Sequence, residues 1–191
     1  QRSFTLDDLL ALAPTVILAV KPQIWRETAE AVQALLSPEA IIVSVAAGVP
    51  ASDLSHSFGG RRVARIMPTT GAAIGQGVAS IFSSDATARA RAHALFSPVG
   101  TVVDLDDESL MHAATGVSGS APAYFYAFVE ALEAAGVEAG LPADAARKLA
   151  HATMTGAAAL MAERQSDPGD LRRQVTSPNG TTADWAHKPK T

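Results

Sequence analysis

Up to about residue 104 the chain alternates short aliphatic runs with longer stretches of helical spacing; beyond that point only helical spacing remains. This switch constrains the fold more than any other feature. A strand buried on both faces reads as an unbroken apolar run, and such strands need helices to cover them. Thr15-Val16-Ile17-Leu18-Ala19-Val20 is the first run, broken by Lys21-Pro22-Gln23. A helical pattern follows over about 24–36, carried by Trp25, Ala29, Val32, Leu35 and Leu36. Ile41–Val45, Arg62–Ile66, Gly77–Phe82 and Thr101–Val103 are the later runs, with a helical stretch over 86–96. Alternation of this kind predicts an α/β layer around a largely parallel sheet. From Asp106 to about Arg173 there is no strand pattern. Tyr124, Ala127, Phe128, Ala131, Leu132 and Ala135 keep the spacing of one helix face, and Gly136 and Gly140 punctuate its end. A second helix starts at Leu141-Pro142-Ala143-Asp144, where proline is tolerated in the first turn, and runs to about Glu163. Asp167-Pro168-Gly169 ends it. The expected division is an α/β domain over 1–105 and an all-α domain over 106–191.

Composition removes several function classes. Of 191 residues, 48% are hydrophobic and 18% charged, as in an ordinary globular protein. The net charge is −4, and basic clusters such as Arg172-Arg173 and the Lys188/Lys190 tail are short, so nucleic acid is not an expected partner. With no cysteine, disulfides, thiolate nucleophiles and zinc–thiolate sites are excluded. That usage is compatible with the cytoplasm, which is the expected compartment. No apolar run approaches the roughly 20 residues of a bilayer span, and no membrane partner is expected. The start, Gln1-Arg2-Ser3-Phe4, has neither an initiator Met nor a signal-peptide pattern, and a chain continuing upstream is the expectation. His93, His112, His151 and His187 stand at no metal-ligand spacing, so no metal site is expected.

Two features carry chemistry. In open α/β sheets ligands bind outside the carboxyl ends of the strands. Three strand ends here are built from small or cyclic residues: Ala19-Val20-Lys21-Pro22, Ala46-Ala47-Gly48 and Met67-Pro68-Thr69-Thr70. They either leave the backbone open to a flat ring and a ribose, or simply terminate strands. The second feature is Gln174-Val175-Thr176-Ser177-Pro178-Asn179-Gly180-Thr181-Thr182, a polar turn rich in hydroxyls after a long helical region. Such a turn either aims N–H groups and hydroxyls at a small anion or connects helices. A Gly-x-Gly-x-x-Gly phosphate turn does not occur. The glycines of Gly71–Gly77 read as a connector.

Taken in order, Ala-Val-Lys-Pro-Gln at 19–23, Ala-Ala-Gly-Val at 46–49, Arg-x-Met-Pro at 65–68, Glu-x-Leu-Met at 108–111, Ser-Gly-Ser-x-Pro-Ala-Tyr at 118–124, Gly-Leu-Pro at 140–142 and Val-Thr-Ser-Pro-x-Gly-Thr-Thr at 175–182 resemble pyrroline-5-carboxylate reductase. The likeness covers about 7–182. It implies a Rossmann-like domain, here lacking its first βα unit, followed by a helical domain that dimerises and often assembles further. It also implies hydride transfer from NADPH or NADH to the C=N carbon of a cyclic imine carboxylate, 1-pyrroline-5-carboxylate, giving L-proline. By the same resemblance, Ser177, Gly180 and Thr181 would hold the substrate carboxylate. Thr182 would hydrogen-bond the ring nitrogen and act in catalysis, and Glu108 would lie on the substrate nitrogen side. Ser118, Gly119, Ser120 and Pro122 would shape the pocket. Ala19, Val20, Lys21 and Pro22, with Ala46, Ala47 and Gly48, would line the nicotinamide and its ribose, and Gln174 would touch the cofactor. The chain departs from the family pattern at Thr69, Asn179 and Ala121, where Asn, Gly and Gly are usual. Two other readings stay open: a non-catalytic helical dimerisation fragment, and another imine or β-hydroxyacid reductase on the same two-domain plan.

Overall fold

The structure is a computed structural model and describes residues 5–177. The chain divides into two compact units, the first ending at Pro122 and the second beginning at Ala123.

The first unit opens with helix α1 (Leu6–Leu12), started by a capping box in which Thr5 and Asp8 satisfy each other's backbone N–H groups. Then come β1 (Thr15–Leu18), α2 (Trp25–Val32), β2 (Ile41–Ser44), α3 (Ala51–Ser57) and β3 (Val63–Pro68). They are followed by β4 (Gly77–Phe82), α4 (Ala86–Phe96) and β5 (Gly100–Asp104). Among the described residues the sheet has five strands in the order β1-β2-β3-β4-β5. Pairing is parallel except between β3 and β4, which run antiparallel. The expectation of a largely parallel sheet therefore holds with one exception. Its physical cause is the short connector: a 3-10 turn over Thr70–Ile74, closed by Gly75 at φ 71°, leaves no length for the crossover that a parallel step would need.

Side-chain alternation along the strands separates two cores. Leu18, Ile42 and Val63 pack with Trp25 and Ala29 of α2 and Leu54 of α3. Ile41, Val43, Ala64, Ile66, Ala79 and Ile81 pack on the opposite face with Ala88 and Ala92 of α4. This is the three-layer arrangement that continuous apolar strands demand. After β5, a 3-10 turn over Glu108–Leu110, the single turn α5 (Met111–Ala114) and a π turn over Thr115–Gly119 lead into α6 (Ala121–Glu138). The strands end at Asp104, beside the residue at which the sequence pattern changes. The helical segment from there to Pro122 nevertheless belongs to the first unit, anchored by buried Met111 and by contacts of Glu108 described below.

The second unit contains the rest of α6, α7 (Ala143–Arg164) and α8 (Pro168–Gln174). A Schellman motif closes α6: Gly140 (φ 98°) donates to the Val137 carbonyl, and Leu141 donates to that of Gly136. Helices α6 and α7 approach closely at Gly136, where an added Cβ would meet the Ala146 Cβ at 3.1 Å. Ala146 and Ala150 are buried there. Gln165, at φ 49°, ends α7, and the Asp167 carboxylate caps α8 through the Gly169 and Asp170 N–H groups.

Candidate functional site

The register of the parallel strands sets the site. Leu18 pairs with Ser44 and Ser44 with Arg65, so the residues that follow leave the sheet side by side at its carboxyl edge. Ala19, Lys21 and Pro22 are exposed there and Val20 is half-buried, packed on the core beneath. On the neighbouring strand end Ala46 is buried, while Ala47 and Gly48 face solvent. Gly48 takes φ 73°, and an added Cβ would find nothing within 4 Å, so the backbone is open to a flat ligand. Met67 and Pro68 stand half-buried at the end of β3. The small residues of the first two strand ends thus lie together.

Thr69 is fully engaged in the fold. Its N–H and hydroxyl oxygen pair with the carbonyl and N–H of Val78, both at 2.9 Å, which fixes the start of the β3–β4 connector. The π turn brings the Ser118-Gly119-Ser120 motif to the β3 end. An added Cβ at Gly119 would come within 3.2 Å of Thr115 and 3.7 Å of the Met67 side chain. Ser118 donates its hydroxyl to the Ala114 carbonyl at 2.8 Å, and the Ser120 N–H reaches the Thr115 carbonyl. Such π turns recur at functional sites because they displace one residue from the helical register.

Glu108 is committed to the first unit itself. One of its oxygens accepts both the Arg65 guanidinium and the Ala51 N–H, each at 2.6 Å. Arg65 carries no role in the sequence motifs beyond its place in Arg-x-Met-Pro. Its signal was a cation inside an apolar strand, Val-Ala-Arg-Ile-Met, which demands a carboxylate partner. In the second unit Gln174 ends α8, with its side-chain oxygen 3.4 Å from Arg164, and Ser177 is exposed. Gly180, Thr181 and Thr182 lie outside the described residues. Two open clefts contain none of the candidate residues: one of about 310 Å³ around Ser83, Arg89 and His93, and one of about 330 Å³ around Tyr126, Glu133 and His151. No group of three or more metal-binding side chains occurs among the described residues. None of the helices there is long and apolar enough to cross a membrane.

A family model described as pyrroline-5-carboxylate reductase dimerisation matches residues 108–188. A pyrroline-5-carboxylate reductase of Pseudomonas aeruginosa is 41% identical over 179 residues, covering 92% of this chain and 66% of that protein. One of Pisum sativum is 39% identical over 185 residues, covering 95% of this chain and 67% of that protein. The crystal structure of a Plasmodium falciparum pyrroline carboxylate reductase with NADP bound matches with a TM-score of 0.82 at 26% identity. That match covers 94% of this chain and 70% of the other. The chain spans about two thirds of the length of these relatives.

Proposed function

The chain belongs to the pyrroline-5-carboxylate reductase family, and from that premise we propose that the protein carrying it reduces 1-pyrroline-5-carboxylate to L-proline with NADPH or NADH. The observation that carries this reading is the pairing of two small-residue strand ends, Ala19–Pro22 and Ala46–Gly48, at the carboxyl edge of a parallel sheet. The left-handed Gly48, with open space where a side chain would be, fits a ring laid against the backbone.

The reduced nicotinamide, when bound, supplies the hydride. The residues of the chain bind and orient. Ala19, Val20, Lys21 and Pro22 with Ala46, Ala47 and Gly48 line the nicotinamide side, and Gln174 touches the cofactor. Ser177, Gly180 and Thr181 hold the carboxylate of the imine through a hydroxyl and backbone N–H groups. Thr182 hydrogen-bonds the ring nitrogen, which must carry a proton for the adjacent carbon to accept hydride. The product then holds the new C–H bond at carbon and the proton at nitrogen. The protein acts in the cytoplasm as a homodimer or a larger homo-oligomer, assembled through its helical unit.

The test is oxidation of NADPH and of NADH by the complete protein with 1-pyrroline-5-carboxylate, followed by absorbance and by detection of L-proline. Turnover is expected with at least one cofactor, and its absence with both would end this reading. Thr182→Ala is expected to lower kcat more than it weakens NADPH binding. Equal losses in the two would remove Thr182 from the imine side.

A further inference from the structure

Arg65 sits on β3 with its side chain only 9% exposed, and a buried cation needs a close anion. Glu108 supplies it from the 3-10 turn beyond the sheet. The oxygen that meets Arg65 also accepts the Ala51 N–H, across a separation of 57 residues. Ala51 opens α3, and the N-cap residue, Pro50, offers no side-chain cap. The first N–H groups of a helix lack internal partners, so the distant carboxylate does the capping that a local Ser or Asp would otherwise do. One oxygen thereby ties together three segments: β3 just before Met67-Pro68, α3 just after the Ala46–Gly48 loop, and the chain leading into the Ser118–Ser120 turn.

We propose that Glu108 and Arg65 are a positioning pair for the nicotinamide-binding edge, and that Glu108 does not contact the substrate. This rests on the function proposed above. Glu108 fixes the α3 start, and through it the exit of Gly48 from the sheet. Arg65 fixes the carboxylate. Loss of the pair frees the Ala46–Gly48 loop and weakens cofactor binding, leaving recognition of the imine intact.

The complete protein tests this with three measurements: NADPH affinity by calorimetric titration, KM for 1-pyrroline-5-carboxylate at saturating NADPH, and Tm. Arg65→Met with Glu108→Leu removes both charges together, which avoids an unpaired buried ion. The expected result is NADPH binding weakened about tenfold, or about 1.4 kcal/mol, with the imine KM changed less than about twofold. Arg65→Met with Glu108→Gln keeps an acceptor for the Ala51 N–H and is expected to recover most of the lost affinity. Should the first double variant fail to fold, Glu108→Asp takes its place: it keeps the negative charge but shortens the reach of the one oxygen that Arg65 and Ala51 share, and weaker NADPH binding is again expected. A fall in Tm with unchanged NADPH affinity would show a merely structural pair and overturn the proposal. So would a loss confined to the imine KM and kcat, which would put Glu108 on the substrate. A wild-type protein that binds neither NADPH nor NADH would overturn the reading of the family site as well, so the two failures are distinguishable.

Discussion

Arg61 shows how much of the first unit hangs on single side chains. Its guanidinium donates to three carbonyls: Ser37 at 2.9 Å, Phe58 at 2.6 Å and Leu36 at 2.5 Å. These belong to the chain leaving α2 and to the C-terminal end of α3, so one planar fork joins two helix exits. Lysine offers a point charge without that fork. Arg61→Lys is therefore expected to cost roughly 2–3 kcal/mol, read as a lower urea midpoint at unchanged slope. Gly100 is constrained differently: at φ 155°, an added Cβ would lie 2.0 Å from the Gly77 carbonyl oxygen on the paired strand. The obstacle is backbone within the sheet, so Gly100→Ala is expected to lose about 3 kcal/mol or more, visible as reduced soluble yield and a lower Tm. Asp8 gives a pH signature. The Thr5 backbone N–H, and then its hydroxyl, hold the Asp8 carboxyl below the ordinary value for aspartate. A depressed folded value means that the cap is complete above the unfolded pKa, about 3.9, and is lost as pH falls through the lower folded value. Hydrogen-exchange protection of the α1 amides is thus expected to persist from neutral pH down to that range and to vanish below it. Protection that fades already near pH 6 would contradict the capping role.

At the scale of elements, the apolar runs announced the five strands of the described residues, because strands in a helix-covered sheet leave an unbroken hydrophobic signature. The short helices left no such trace, and α3 and α8 show why. Helix α3 fully buries only Leu54 and leaves most of its other residues half-buried, so it has no repeating stripe. Its one legible mark was Gly59-Gly60, which closes it as a Schellman motif through the Ser55 and His56 carbonyls. Helix α8 buries nothing, and its signal was the Asp167-Pro168 start, which reads equally well as the stop of α7. The antiparallel turn of β4 was hidden because direction is set by connector length and not by strand composition. The strand-end part of the site was legible for a related reason: small residues after apolar runs mark both a fold boundary and an open backbone. The pairing of Glu108 with Arg65 was not, since it joins residues 43 apart in sequence. The helical unit carries its own test. Gly136 lies where an added Cβ would crowd Ala146 at 3.1 Å and Leu141 at 3.4 Å. Gly136→Val must push α7 away or strain its rotamers, and a loss of about 1–3 kcal/mol is expected in thermal unfolding. Gly156, by contrast, has open space where its Cβ would be. Gly156→Ala is expected to stabilise α7 by about 0.5–1 kcal/mol through helix propensity. The opposite order of the two effects would show that α6 and α7 do not meet at Gly136.

At the scale of the whole molecule, the helical unit leaves a broad apolar surface open among the described residues. The helical unit has few buried residues of its own, and the apolar face read in α6 remains open: Tyr124 is 62% exposed, Phe128 50% and Leu132 40%. Phe125, Tyr126, Leu149, Leu160 and Met161 are exposed as well. A monomer rarely leaves so many large apolar side chains on one pair of helices in water, and such surfaces mark association. The family model described as pyrroline-5-carboxylate reductase dimerisation matches 108–188, which includes these helices, and the partner proposed for them is a second copy of the chain. Self-association of this sort makes folding and assembly one equilibrium, so Tm must rise with protein concentration. The expected result for the complete protein is a dimer or larger species by sedimentation at micromolar concentration, with a concentration-dependent Tm. Phe128→Glu places a charge on this surface. It should shift the population toward monomer and flatten the concentration dependence, while the sheet strands remain folded. A complete protein that sediments as a stable monomer, with a Tm indifferent to concentration, would mean that some other segment of the same chain covers these aromatics.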